Sequence, residues 1–277
     1  MTDRSRVKTV TQFKSNQPCE NKRQALSQIK RIDWNALDYR TKNQKSFYRT
    51  IGRNDVTFCV GPAGCGKTYL ATHYALKNLA QGKYENMVIT KPLVEVDGEK
   101  IGYLPGDIDE KTAPYMMSLY YNMEQIIGKQ RLEVLKQTGV VNVIPLAYMR
   151  GLTLTNSIVV LDEAQNATTS QIKTFLTRIG NGSKFIVNGD LMQSDIKTSN
   201  GLDDSVKRFT GLKRVGFSQF DLEDVVRHPI VGELLARYKD DYKLGALSAE
   251  ETLSLWLEKQ EYDEPKATSK YFYKIRN

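Results

Sequence analysis

Gly61-Pro62-Ala63-Gly64-Cys65-Gly66-Lys67-Thr68 matches the whole pattern G-x-x-x-x-G-K-[ST], and its surroundings decide the fold. An apolar, β-branched run, Val56-Thr57-Phe58-Cys59-Val60, comes immediately before it. Tyr69-Leu70-Ala71-Thr72-His73-Tyr74-Ala75-Leu76 follows as a helix pattern. Strand, glycine loop and helix N-terminus together make a cradle of backbone N–H groups at the positive end of a helix dipole. Gly61, Gly64 and Gly66 let the chain turn tightly and approach a phosphate with no Cβ in the way. In this pattern the lysine, Lys67, reaches the β- and γ-phosphates, and the Thr68 hydroxyl ligates Mg²⁺. Pro62, Ala63 and Cys65 complete the loop's contacts. A glycine-rich turn with a chance lysine would lack the flanking strand and helix, so the segment predicts a bound nucleoside triphosphate.

A second strand ends in carboxylates: Ser157-Ile158-Val159-Val160-Leu161-Asp162-Glu163. An all-apolar run of this kind suits a parallel strand covered on both faces. Asp162 at its end can hold the Mg²⁺, and Glu163 is placed to polarise an attacking water as general base. Asp–Glu pairs also cap helices, but the pairing with the glycine loop favours metal and base. Phe185-Ile186-Val187-Asn188-Gly189-Asp190-Leu191-Met192-Gln193 repeats the arrangement. Ligand groups gather at the carboxyl ends of strands in an α/β sheet, which puts Asp190 and Gln193 near the γ-phosphate. Gln193 is then a candidate to sense that phosphate or orient the water.

The chain of 277 residues is long enough for one large α/β domain with appendages. No 18-residue apolar span or secretory segment occurs, and Met1-Thr2-Asp3-Arg4-Ser5-Arg6 is polar, which predicts a soluble, cytoplasmic protein with no membrane partner. Cys19, Cys59 and Cys65 lack metal-ligand spacing. Residues 1–45 hold 11 Lys/Arg against 4 Asp/Glu, out of 40 against 32 in the whole chain. The basicity is therefore N-terminal, and residues 1–40 read as a basic arm suited to a polyanion such as nucleic acid, or as a solvated leader.

Strand patterns fall at 56–60, 87–90, 140–144, 157–161, 185–188 and 214–217. Helix patterns fall at 68–80, 111–137 with a break near Gly128, 169–179 with Gly180 as its stop, 203–209 and 229–241. The alternation predicts a parallel sheet with right-handed crossovers and helices on both faces. Val94 to Asp109, with Asp97-Gly98 and Pro105-Gly106, reads as a long functional loop or lid. Residues 246–277 form an appendage. Within it Leu253, Trp256 and Leu257 share a helix face, and Tyr271-Phe272-Tyr273-Lys274-Ile275-Arg276 mixes aromatics with cations, a tail that could stack on bases or dock on a domain.

With these motifs in hand, the chain closely resembles the PhoH family, phosphate-starvation-inducible P-loop ATPases related to superfamily-1 helicases. The segments that carry the resemblance are GPAGCGKTYLA, KPLVEVDGEKIGYLPGDIDEKTAPYMMSLY, PLAYMRGLTL, IVVLDEAQNATTSQIKTFLTRIGNGSKFIVNGD and DVVRHPIVGELL, over roughly residues 40 to 240. The resemblance implies a RecA-like core (residues 41–245), ATP and Mg²⁺ as cofactors, ATP hydrolysis, and RNA helicase or RNA-processing roles. Lys91-Pro92 stands where the family usually has Arg-Pro, and Leu152 where it usually has Arg; neither residue offers a guanidinium fork. The resemblance is to the compact form that phages also encode, which implies no extra nuclease or RNA-binding domain of the kind some relatives carry. In helicase relatives a glutamine upstream of the loop reads adenine, and Gln44, followed by Tyr48, occupies that place; its amide suits the adenine edge.

The combined reading is a Mg²⁺-dependent ATPase, in a three-layer RecA-like α/β fold, coupling hydrolysis to RNA or single-stranded DNA. Superfamily-1 motors close their ATP site with a second RecA domain, and this chain has room for one. Arginine supplied in trans is the usual substitute, so a homo-oligomeric ring, a hexamer, is expected. Arg178 and Arg227 are the candidate fingers. Arg178, eight residues beyond Ser170, would be carried about 12 Å along its helix, and Arg227 precedes the fixed turn His228-Pro229. Either could instead pair with a local acid. The rivals are a P-loop kinase, which has little use for Glu163, and a nucleotide-gated scaffold with negligible turnover. Nuclease activity would need a separate carboxylate cluster, and none is visible in the sequence.

Overall fold

In a computed structural model of the chain, residues 19–93, 108–191, 200–226 and 230 are described. Six strands form one parallel sheet: β1 (Val56–Val60), β2 (Asn86–Lys91), β3 (Val141–Pro145), β4 (Ser157–Leu161), β5 (Lys184–Gly189) and β6 (Val215–Gln219). Their order is β3-β2-β4-β5-β1-β6. All six lie where the β-branched runs predicted, within one or two residues. β4 and β5 are buried along their whole length, as strands covered on both faces must be.

Alternation along each strand sends residues to two separate cores. Cys59, Met87, Ile89, Ile158, Val160 and Ile186 face one of them. That side is covered by α1 (Cys19–Lys30), α2 (Lys42–Arg53), α3 (Lys67–Ala80), α4 (Ile108–Ile127) and α5 (Lys129–Gln137). Phe58, Val88, Val159, Leu161, Phe185 and Val187 face the other, under α6 (Thr169–Leu176) and α7 (Gly201–Phe209). The fold is a three-layer RecA-like α/β sheet, with Gly128 breaking α4 from α5 as expected.

Two expectations are corrected. The helix after the carboxylate strand ends at Leu176, short of Ile179. The chain leaves the helix there to pair with the preceding loop, Leu154 N donating to Arg178 O at 2.9 Å and Gly180 N to Leu154 O at 2.8 Å. A Cβ on Gly180 would lie 2.6 Å from Leu154 O, so the glycine allows that pairing and does not cap the helix. The basic stretch 1–40 is likewise not all arm. From Cys19 onward it folds onto the sheet, with Ala25 and Ile29 buried one turn apart on α1 and Trp34 donating its Nε1–H to Ile29 O at 3.0 Å. Counting charge does not see two apolar residues at helical spacing and a tryptophan just beyond them.

The expected loop at 94–109 (apart from the start of α4), the helix at 229–241 and the appendage at 246–277 lie outside the described residues. No helix among the described residues is long and apolar enough to cross a membrane.

Candidate functional site

The glycine loop turns off the carboxyl end of β1 with Gly61, Gly64 and Gly66 all at positive φ. Two of them need to be glycine for separate reasons. A Cβ on Gly61 would sit 2.6 Å from Phe220 Cβ. Gly66 takes the left-handed conformation, φ 85, that starts α3.

Lys67 is almost wholly buried and its Nζ donates to Gly61 O at 2.7 Å and Pro62 O at 2.8 Å. The Cys65 thiol donates to Pro62 O at 2.9 Å, and burial pushes its pKa up. The Thr68 hydroxyl reaches both oxygens of Asp162, at 2.8 and 3.0 Å. Asp162 continues the β4 ladder, its N–H bonded to Thr90 O. Its carboxyl pKa is raised to about 6, first by burial and then by Glu163. The Thr68 hydrogen bond and the charges of Lys67 and Lys91 pull in the opposite direction.

Glu163 is one of three non-glycine residues at positive φ among the described residues, at φ 53, ψ 39. That left-handed backbone is disfavoured for a residue with a Cβ. The Glu163 carboxylate lines the cavity beside the loop, near enough to Asp162 to raise the pKa of that residue. Gln165 fixes it there: Nε2 donates to Glu163 Oε2 at 2.7 Å, while Oε1 accepts from Asp190 N at 3.0 Å. One buried amide thereby ties the ends of β4 and β5 together.

A cavity of about 270 Å³ gathers Lys67, Thr68, Asp162, Glu163 and Asp190 with Tyr69 and Asn122. Two roomier clefts lie elsewhere, one between α1 and the start of α5 and one around Asp55 and Arg214. Neither brings a carboxylate pair to a glycine loop. Tyr69, Asn122 and Gln165 were not singled out in the sequence. Gln165 lies within the DEAQN segment, which was the available signal; Asn122 comes from the middle of α4 and had none.

Gln44, the candidate for reading adenine, lies against the phosphate loop. It is 4% exposed, its Nε2 donates to Cys65 O at 3.1 Å, and its Oε1 accepts from Arg40 N at 2.9 Å. One end of the amide holds the phosphate loop and the other holds the bend before α2, and an adenine edge would have to displace these bonds. A second brace comes from the segment after β6. Val226 N donates to Gly64 O at 3.1 Å, and Asn43 Nδ2 donates to Asp224 Oδ2 at 2.7 Å. Although burial pushes the Asp224 pKa up, hydrogen bonds from Asn43 and Thr41 and the bonds within the 221–224 turn outweigh it and hold it lowered.

Arg178 is spent locally. Nε donates to Thr174 O at 3.1 Å, one terminal nitrogen to Leu152 O at 3.1 Å, and the other to Thr177 Oγ1 at 3.1 Å. With α6 ending at Leu176, the 12 Å helical reach expected for it does not apply. Gln193 and Arg227 lie outside the described residues.

Several known proteins are similar to the chain. It is 41% identical over 205 residues to the PhoH-like protein of Bacillus subtilis (strain 168), covering 73% of this chain and 64% of that protein. It is 37% identical over 203 residues to Protein PhoH of Escherichia coli (strain K12), covering 72% and 57%. The match thus spans less than two thirds of either relative. Among solved structures, the large terminase of a thermophilic bacteriophage matches with TM-score 0.44 at 12% identity, over 71% of this chain and 49% of that one. The Pif1 helicase of Candida albicans matches with TM-score 0.35 at 13% identity, over 67% and 40%. The family described as PhoH-like protein matches residues 36–239, the stretch that builds the sheet and the cavity, and the chain belongs to that family.

Proposed function

We propose that this protein is a Mg²⁺-dependent ATPase that couples hydrolysis to unwinding or remodelling RNA, or single-stranded DNA. The observation that carries the reading is the meeting of Lys67, Thr68, Asp162 and Glu163 in one cavity at the carboxyl edge of the sheet. The residues fit the ligands. The loop's backbone is braced from three sides, by Lys67, Gln44 and Val226. Thr68 and Asp162 offer hard oxygen donors, which suit an ion that takes one or two protein groups and completes its shell with phosphate and water. Bound Mg²⁺ would supply charge neutralisation at the phosphate oxygens.

The chain's own groups then divide the work. Lys67 exchanges two carbonyl partners for phosphate oxygens, an exchange favoured because the phosphate oxygens carry formal negative charge and the carbonyls only a partial one. Asp162 orients the Thr68 hydroxyl. Glu163, pinned by Gln165, takes the proton of the attacking water. Its presence separates the site from that of a kinase, which has to keep water from its nucleotide. The basic excess of residues 1–45 supports a polyanionic partner. No arginine lines the cavity among the described residues, which supports a finger from a neighbouring subunit in a ring.

The test is ATP turnover by purified protein with and without RNA or single-stranded DNA, alongside its molar mass in solution. Turnover that requires Mg²⁺ and rises with nucleic acid is expected. Bound nucleotide with no turnover would leave a nucleotide-gated scaffold in its place, and turnover only with a small-molecule acceptor would leave a kinase.

A further inference from the structure

Asn188 is a buried amide with no hydrogen-bond partner at either end. It is 0% exposed, and both Nδ2 and Oδ1 lack a partner. Four threonine and serine hydroxyls, on Thr57, Thr72, Thr90 and Ser218, are also unpartnered among the described residues. Asn188 is the one side chain there with two polar atoms, a nitrogen and an oxygen, both idle. An unmade bond of this kind costs about 1–3 kcal/mol, and a native structure that keeps one calls for a reason. Because both ends are idle, the choice of which atom is nitrogen does not affect the argument.

Its neighbours supply the reason. Leu161 pairs with Val187 across β4 and β5, so Asp162 is next in line with Asn188. Phe185 and Val187 face the α6–α7 core while Ile186 faces the α3 side, which places the Asn188 side chain on the α3 side with Cys59, its partner across β1. Val160 faces that side too, and by the same alternation so does Asp162. Asn188 and Asp162 are thus adjacent, on one face, at the edge where the glycine loop sits.

Asp162 has an unfilled need. Both of its oxygens lie within hydrogen-bond distance of Thr68, but a hydroxyl has a single proton and can serve one oxygen at a time. A buried carboxylate with one donor is under-bonded for a charged group.

We propose that Asn188 is a positioning residue for the metal site. When nucleotide and metal bind, its idle amide N–H donates to the Asp162 oxygen that Thr68 does not hold, and the paired carboxylate is thereby aimed at the Mg²⁺. The inference rests on the Mg²⁺–ATP reading above and adds a residue to it. An amide suits the task because it donates without bringing charge, so it sharpens the direction of Asp162 without competing with the cation.

Asn188→Val and Asn188→Thr test it, since the two side chains have nearly the same shape and differ in the hydroxyl donor. The readout is affinity for a fluorescent, non-hydrolysable ATP analogue in Mg²⁺ and in EDTA, whose ratio measures coupling to the metal. Removing a group that orients a metal ligand typically costs about 10–100-fold in metal affinity. The Thr variant should keep the wild-type ratio within about twofold, and the Val variant should lose about tenfold of it with its EDTA affinity unchanged. The Val variant should also melt no lower than wild type, because it removes an unpaired buried amide.

A Val variant with the wild-type ratio, or Val and Thr variants that lose it equally, overturns the assignment. So does a melting temperature that falls with no change in the ratio, which marks a purely structural residue. If neither variant folds, Asn188→Ser and Asn188→Ala make the same comparison with the same expected and overturning outcomes. Wild-type protein that binds the analogue equally with and without Mg²⁺ would sink the metal-dependent reading itself. Wild-type coupling that survives in Asn188→Val sinks the role of Asn188 alone.

Discussion

Asp162 and Glu163 are consecutive and line one cavity, yet Asp162 is buried against Thr68 while Glu163, at φ 53, is exposed. Gln165 holds the result with one bond to Glu163 and another to the backbone of Asp190. Glu163→Gln keeps the shape and removes the base. It should bind ATP with near wild-type affinity and hydrolyse it about 10²–10⁴ times more slowly. Binding by fluorescence and turnover by phosphate release give the two numbers; normal turnover would put the water-activating group elsewhere, with Gln193 the next candidate. Lys67→Ala should fail one step earlier, at binding, since its ammonium is the one cation lining the cavity among the described residues. A titration showing unchanged affinity for ATP would remove the glycine loop from the proposed site.

At the scale of elements, α1 to α3 carry a polar joint inside an apolar layer. His73 on α3 is 5% exposed, shares a hydrogen bond between Nδ1 and the Tyr48 hydroxyl across 3.0 Å, and meets the Trp34 ring edge-on at 5.4 Å. Burial, with Lys77 adding to it, lowers its pKa from 6.5 to about 4. The folded state therefore prefers the neutral ring, and between pH 4 and 6.5 the unfolded chain binds the extra proton. The stabilisation is complete above pH 6.5 and lost as pH falls to 4, with a total of about 3 kcal/mol. Denaturant unfolding across that window should show the slope, and His73→Phe should flatten it. The docking of α1 has its own test: Ile29→Ala should cost about 2–5 kcal/mol, whereas a free basic arm would lose nothing measurable.

These elements also mark the limit of what could be read from the chain. The strands were legible because a buried parallel strand has to be an apolar run, and Val56–Val60, Ser157–Leu161 and Lys184–Gly189 are such runs. The phosphate loop was legible because backbone geometry demands glycine at fixed spacing. α1 was not, since Ala25, Ile29 and Trp34 are sparse among charges. Gln44 shows a different limit: an amide that could read a base can equally bond Cys65 O, and the sequence alone does not choose between them.

For the whole molecule, the question is what completes the cavity. Its described lining offers Lys67 to the phosphates and no arginine, while transition-state charge on a transferred phosphoryl group calls for one. Arg178 and Arg227 remain the candidates for supply across a subunit boundary, and the structure makes them unequal. Arg178 would have to release Leu152 O, Thr174 O and Thr177 Oγ1 to act in trans. Arg178→Ala should therefore lower the melting temperature by loosening the 152–154 loop from α6. Arg227 lies outside the described residues and is a candidate on its place in the sequence, beside His228-Pro229. Mixing tells the two apart from a local role. Lys67→Ala subunits cannot bind nucleotide but carry both arginines, and Arg227→Ala or Arg178→Ala subunits bind it but lack one. If a finger acts across the boundary, an equimolar mixture should recover turnover that neither variant has alone, in a species of ring mass. We expect Arg227→Ala to be the variant rescued. A mixture that stays inactive for both arginine variants, or a protein that remains monomeric with ATP and Mg²⁺, would rule out the ring and return the missing charge to a segment of the same chain.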